Sequence, residues 1–203
     1  MTARKSDKKS AETPRRLIVG ISGASGVVYG VRMLEVLRAA GVETHLVMSK
    51  AAELTLVYET DMKPKDVRSL ASHYHAQADI GASISSGSFP TMGMVIVPCS
   101  VRSMSEIAAG TTGTLLSRAA DVVLKERRRL VLAFRETPIH AGHLRVMSQL
   151  TEMGAIIAPI VPAFYNRPKT LDDVINHTVG RLLDLFGIET KLVKRWEGGP
   201  EGA

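Results

Sequence analysis

Five short runs dominated by Val, Ile and Leu recur along the chain: LIV (17–19), ETHLVM (43–48), GMVIVPC (93–99), RLVLAF (129–134) and GAIIAPIV (154–161). Segments of helical periodicity, such as VVYGVRMLEVLRAAG and AAELTLVYE, lie between them. Strands this apolar are buried on both faces, and strands alternating with helices form a parallel sheet covered on each side. The expected class is α/β, a three-layer sandwich with a mainly parallel sheet. At 203 residues the chain suits one well-buried domain rather than two. Residues 1–15 read as a disordered basic tail, 16–197 as a single domain and 198–203 as a flexible C-terminus. MSEIAAGTTGTLLSRAADVVL (104–124) is helical in pattern and poor in charge, so it is expected to be buried or to form a subunit interface.

Ligands of such sheets collect at the carboxyl ends of the strands. The first strand runs into GISGASG (20–26) and then a helix, a turn that aims backbone N–H groups at an anion. It is neither of two familiar phosphate turns. Ile21 stands where a dinucleotide turn needs its first glycine, and no lysine follows Gly26 as a P-loop requires. What it offers is two hydroxyls, Ser22 and Ser25, among small residues. The second strand ends in Ser49 and Lys50, where a nicotinamide site places an acid. Pro98 is expected to stop the next strand, and Ser100, Arg102 and Ser103 follow at a helix start. Arg135 and Glu136 follow RLVLAF, and Tyr165 and Arg167 follow GAIIAPIV. Polar donors at all these strand ends favour a phosphate-rich ligand. Arg118 and Lys125, seven residues apart, share one helical face.

The formal net charge of +6 looks like a nucleic-acid signal until it is located. Residues 1–16 hold six basic residues against Asp7 and Glu12, which leaves only +2 for the rest. With 4% aromatics there is also little on which bases could stack, so nucleic acid is not an expected partner. No run approaches membrane-spanning length, and the polar tail does not read as a signal peptide. The single cysteine, Cys99, cannot form an internal disulfide. A cytoplasmic location fits these features. No metal is expected: HYH (73–75) and HAGH (140–143) have ligand-like spacing, but no nearby cysteine or acid completes a set, and solvated or capping histidines are the better reading. Ser22 and Ser25 both miss the G-x-S-x-G elbow of serine hydrolases. Asp172 and Asp173 suit the first turn of the helix DDVINHTVGRLLDLF rather than a magnesium site.

Taken in order, GISGASG, VMSK, YETD, SSGSF, PCS, RAADVVLKERR, FRET, PAFY and the final helix with Arg181 resemble the UbiX-type flavin prenyltransferases, from about Arg16 to Trp196. The resemblance implies a flavodoxin/Rossmann-like flavin-binding domain assembled as a homododecamer, with FMN and dimethylallyl phosphate at subunit junctions. Gly23, Ala24, Ser25, Ser49, Ser100, Val101, Arg102, Ser103 and Arg135 would bind FMN. Arg118, Lys125, Tyr165 and Arg181 would hold the dimethylallyl phosphate. Ser25, Glu59, Lys125 and Glu136 would be catalytic, with Ser25 and Glu59 managing the proton at N5 of the flavin. The implied reaction is metal-independent alkylation of reduced FMN at N5 and C6, giving prenylated FMN for a UbiD-type decarboxylase. Val101 stands where the family often has Thr. Arg129 replaces a common proline and reads as a tolerated surface change. A non-catalytic FMN carrier or accessory subunit of an aromatic-acid decarboxylase is the alternative. The related cysteine decarboxylases are disfavoured, because the chain has only Asn166 and Asn176 and no PxMNxxMW-like segment.

Overall fold

The computed structural model describes residues 15–193. Most of the basic tail, Trp196 and the C-terminal segment 198–203 lie outside the described residues. In chain order the elements are β1 (Arg16–Ile21), α1 (Val27–Ala39), β2 (Glu43–Met48), α2 (Lys50–Glu59), α3 (Pro64–Leu70), β3 (His73–His75), β4 (Gly93–Cys99), α4 (Val101–Ala108), α5 (Leu115–Lys125), β5 (Arg129–Phe134), α6 (Ala141–Glu152), β6 (Ile156–Ile157) and α7 (Leu171–Asp184). The strands form one six-stranded sheet in the order β3-β2-β1-β4-β5-β6, and every neighbouring pair is parallel. The order reverses between β1 and β4, which makes the crevice beyond their carboxyl ends the topological switch point.

Alternation along the strands separates two cores. Leu17, Val19 and Ile21 of β1 join Leu46 and Met48 of β2 against α1, α2, α3 and α7. Ile18, Met94, Ile96, Leu130 and Leu132 face the other way, against α4, α5 and α6. This is the expected three-layer arrangement, and the strands are apolar because both faces are covered.

Five local expectations are corrected. Residues 104–124 are not one helix. Gly110 takes a left-handed φ of 66°, the chain turns, and Thr114 begins α5 with its side chain accepting from the Ser117 N–H. The apolar faces of both pieces then pack on the chain's own sheet, with Met104, Ile107, Leu115, Ala119 and Val123 buried, so their poverty in charge reflects this core. Pro98 does not end β4, which runs on to Cys99; the register to β5 shifts between Ile96 and Cys99, where the missing N–H is absorbed. GAIIAPIV contributes only Ile156 and Ile157 as strand, because this edge of the sheet pairs with a single neighbour. HYH is itself the opposite edge strand, β3. Arg129 does more than tolerate the surface: its guanidinium donates to the carbonyl of Leu185 at the end of α7, where a cation suits the helix terminus.

Candidate active site

A cleft of about 550 Å³ opens beyond the carboxyl ends of β1, β2 and β4. Three helices begin on it. Ser49 caps α2 by accepting from Ala52 N–H at 3.0 Å, Ser100 caps α4 by accepting from Ser103 N–H at 3.3 Å, and Thr114 caps α5 by accepting from Ser117 N–H at 3.3 Å. Each start leaves further amides without a partner inside its helix, and each carries the positive end of a helix dipole. Several such termini facing one cleft make it a strong place for an anion.

The turn of GISGASG is built around this cleft. Gly23 lines it and lies against α2 so closely that a Cβ there would stand 2.3 Å from the Ala51 Cβ. Gly26 caps α1 with a φ of 98°, a left-handed conformation that favours glycine. Of the two hydroxyls expected to face a ligand, Ser22 does not. It is fully buried, donates to Pro98 O at 2.9 Å and accepts from Ser100 N–H at 2.8 Å. Ser22 therefore stitches β1 to the end of β4 and fixes Ser100, while Ser25 stays exposed.

The free amides at the start of α1 are occupied by the chain itself. Glu59, the last residue of α2, accepts from Gly26 N–H and from Val27 N–H at 3.0 Å, so an internal carboxylate sits where an external anion was expected. The helix starts that line the cleft are those of α2, α4 and α5. Val101, the first residue of α4, lines the cleft, and its backbone N–H is among those that helix starts leave free, so the position can bind without the threonine hydroxyl.

Ser49, Ser100, Val101, Arg102, Ser103 and Glu136 meet in the cleft with Gly23. Arg102 is paired with Glu106 at 2.8 Å, and Glu136 accepts from Thr137 N–H at 2.9 Å. Ala24, Ser25 and Arg135 lie in the segments that border the cleft but do not line it. Gln77, Ala78, Gly113 and Thr114 line it without having been foreseen. Gly113 and Thr114 were concealed within a stretch that reads as one helix, and Gln77 carried no signal, since it follows an unrecognised edge strand. It joins two walls, accepting from Lys50 N–H on its side chain at 3.2 Å and from Leu115 N–H on its carbonyl at 2.9 Å.

Residues 5–183 match the Flavoprotein family model. The flavin prenyltransferase UbiX of Escherichia coli strain K12 is 61% identical over 187 residues, covering 91% of this chain and 99% of that protein. The chain belongs to the UbiX flavin prenyltransferase family. Among solved structures, AnUbiX (PadA1) in complex with FMN and dimethylallyl pyrophosphate superposes with a TM-score of 0.91 at 50% identity, covering 92% of this chain and all of that one. A dodecameric FMN-dependent UbiX-like decarboxylase from Escherichia coli O157:H7 gives 0.88 at 50% identity, covering 90% and 100%.

The UbiX-type assignments for the donor phosphate are distributed differently from those for the flavin. Arg118 and Lys125 stand on α5 and pair with Asp121 at 3.1 Å and Glu126 at 2.6 Å. Arg181 is on α7 and pairs with Asp184 at 2.6 Å, and Tyr165 precedes α7 with its hydroxyl 3.0 Å from His177 Nε2. α5 and α7 cover opposite faces of the sheet, so these two groups stand on different layers of one chain. His177 is buried, and burial, helped by the nearby Arg181 charge, holds its pKa below the usual histidine value. Burial also pushes the Cys99 thiol, at the end of β4, up to about 12. Of the five cations of the UbiX-type site, Arg102, Arg118, Lys125 and Arg181 have acidic neighbours on the surface. Such exposed pairs are weak, so a phosphate with several charge-assisted hydrogen bonds can capture the cations.

Proposed function

We propose that this chain is a flavin prenyltransferase that joins the dimethylallyl group of dimethylallyl phosphate to N5 and C6 of reduced FMN and hands prenylated FMN to a UbiD-type decarboxylase. The observation that carries the reading is the convergence of three capped helix starts on one cleft at the switch point. The cleft's size suits a cofactor, and its hydroxyls and open amides suit a phosphate-bearing flavin.

Reduced FMN supplies the nucleophilic atoms. Gly23 and the Ser100–Ser103 turn hold the flavin against the sheet, with Ala24, Ser25 and Arg135 at its border. Lys125, Arg118, Arg181 and Tyr165 bind the donor phosphate and stabilise the charge that gathers on it as the allylic C–O bond breaks. This supplies in fixed cations what a metal supplies elsewhere. Glu59 and Ser25 manage the proton at N5, and Glu136 lines the cleft.

Tyr165 and Arg181 would meet Arg118 and Lys125 across a junction between copies, which supports a homododecamer. The surface is suited to it: Leu54, Val57 and Tyr58 on α2, and Val161, Phe164 and Leu171 before and on α7, are more than half exposed. Among the described residues no helix is long and apolar enough to cross a membrane.

Anaerobic incubation with reduced FMN and dimethylallyl phosphate, with the diphosphate in parallel, tests the reading. Mass spectrometry should find a flavin heavier by one isoprenyl unit, formed faster with the monophosphate. Unmodified FMN returned from folded, flavin-loaded protein with both donors would establish the carrier reading instead.

A further inference from the structure

The amino end of the sheet carries a cluster that the transfer reaction does not use. Glu43 opens β2 and His45 follows two residues later, on the same face. β3 lies alongside, with His73 level with His45 and His75 level with Val47. The expectation that no acid stands near HYH is therefore wrong: Glu43 is its cross-strand neighbour. Glu43 Oε1 is 3.0 Å from His45 Nε2 and 3.5 Å from His73 Nε2, and the three atoms lie within 4.8 Å of one another. In a tetrahedral zinc site with bonds of about 2.0–2.1 Å, ligand atoms stand about 3.3 Å apart, so these three are close to ligating positions.

The surroundings match this use. His45 is buried, and its other ring nitrogen, Nδ1, is 2.9 Å from His75 Nε2. A metal on Nε2 requires the proton on Nδ1, and His75 is placed to accept it, the outer hydrogen bond that metal-bound histidines keep. The His73 side chain is 55% exposed, so a fourth position faces water. The competitor is Arg16, whose Nε donates to both Glu43 oxygens at 2.9 Å and whose guanidinium lies 5.0 Å from the Phe89 ring. A carboxylate has lone pairs for both partners: Oε2 can stay on Arg16 while Oε1 turns to a metal.

We infer that Glu43, His45 and His73 form a site for a divalent transition metal such as zinc, completed by water, with His75 as the positioning residue. Held there, the ion ties the three-residue edge strand β3 to β2. Six residues of extended strand, about 20 Å, separate Glu43 from Ser49, so the ion plays no part at the cleft.

The test uses full-length, tag-free protein stripped of metal. One equivalent of Co²⁺ should produce the intense visible band of a tetrahedral site, and Zn²⁺ should displace it. His73→Ala, at an exposed position, should abolish the band with an unchanged circular dichroism spectrum. His75→Ala should weaken Zn²⁺ binding about ten- to a hundredfold. His140→Ala, in the separate stacked pair with His143, should change nothing. The inference fails if the native protein gives no band, if His73→Ala binds as tightly as the native protein, or if His140→Ala removes the band. Flavin turnover should be the same with Zn²⁺ and with chelator, which keeps this result independent of the proposed activity.

Discussion

The carboxylate of Glu59, at the end of α2, closes the amino end of α1 by accepting from Gly26 N–H with both oxygens, at 3.1 and 2.9 Å. One side chain thereby locks the glycine turn to the next helix of the same layer. It also gives Glu59 a structural role beside the proton-handling role proposed for it.

The two roles separate by substitution. Glu59→Ala should lose the cap, about 0.5–2 kcal/mol, and with it both stability and turnover. Glu59→Gln still presents an oxygen to the amides, so its melting temperature should stay near that of the native protein while turnover falls. Thermal melts beside single-turnover assays decide the matter; equal turnover in Glu59→Gln and native enzyme would leave Glu59 a cap alone.

Ser22→Ala tests the stitch between β1 and β4. Its hydroxyl serves Pro98 O and Ser100 N–H in a buried place; Pro98 O keeps the Ser22 N–H, but the Ser100 N–H loses its partner, at a cost of about 1–3 kcal/mol. FMN affinity should fall as well, although Ser22 does not line the cleft, because Ser100 loses its anchor. Denaturant unfolding and flavin titration should show both effects; native affinity in a destabilised variant would refute the positioning role.

Lys125→Ala should bind FMN almost normally and lose about a hundredfold or more in rate, since a cation facing a departing phosphate matters most when the charge has built up. Flavin fluorescence gives the binding and stopped-flow the rate. Loss of FMN binding with an unchanged rate per bound flavin would move Lys125 to the flavin phosphate.

Cys99 should resist alkylation at pH 8 in the folded protein and react at once on unfolding. Its thiol, pushed up to about 12 by burial, stays protonated in the fold, whereas an unfolded thiol ionises near 8.5. The sign follows from linkage: the contribution is fully present below the unfolded value and is lost as pH rises from there towards 12. Cys99→Ala should flatten the alkaline limb of the stability profile; an unchanged limb would exclude Cys99 as its source.

The sheet and much of the cleft's lining were legible in the sequence. Val/Ile runs ending in Ser49 and Ser100 are local patterns, and local patterns place strand ends and helix caps. What sequence reading missed is non-local. The burial of Ser22 depends on Pro98 arriving from a distant strand, and the engagement of Glu59 depends on α2 folding back over α1. Gly113 and Thr114 were hidden inside an apparently continuous helix, since a poverty of charge gives no sign of a break. His73 and Glu43 are thirty residues apart in the chain and meet only because β3 pairs with β2.

The placement of α5 and α7 on opposite faces of one sheet has a genetic consequence. If each donor site takes Lys125 from one copy and Arg181 from another, two inactive variants can rescue each other. Co-expressed Lys125→Ala and Arg181→Ala chains would form hybrid assemblies in which some junctions inherit both intact residues while others inherit neither. A mixture of two dead proteins would then regain part of the lost activity, and a lesion in either residue alone would be recessive.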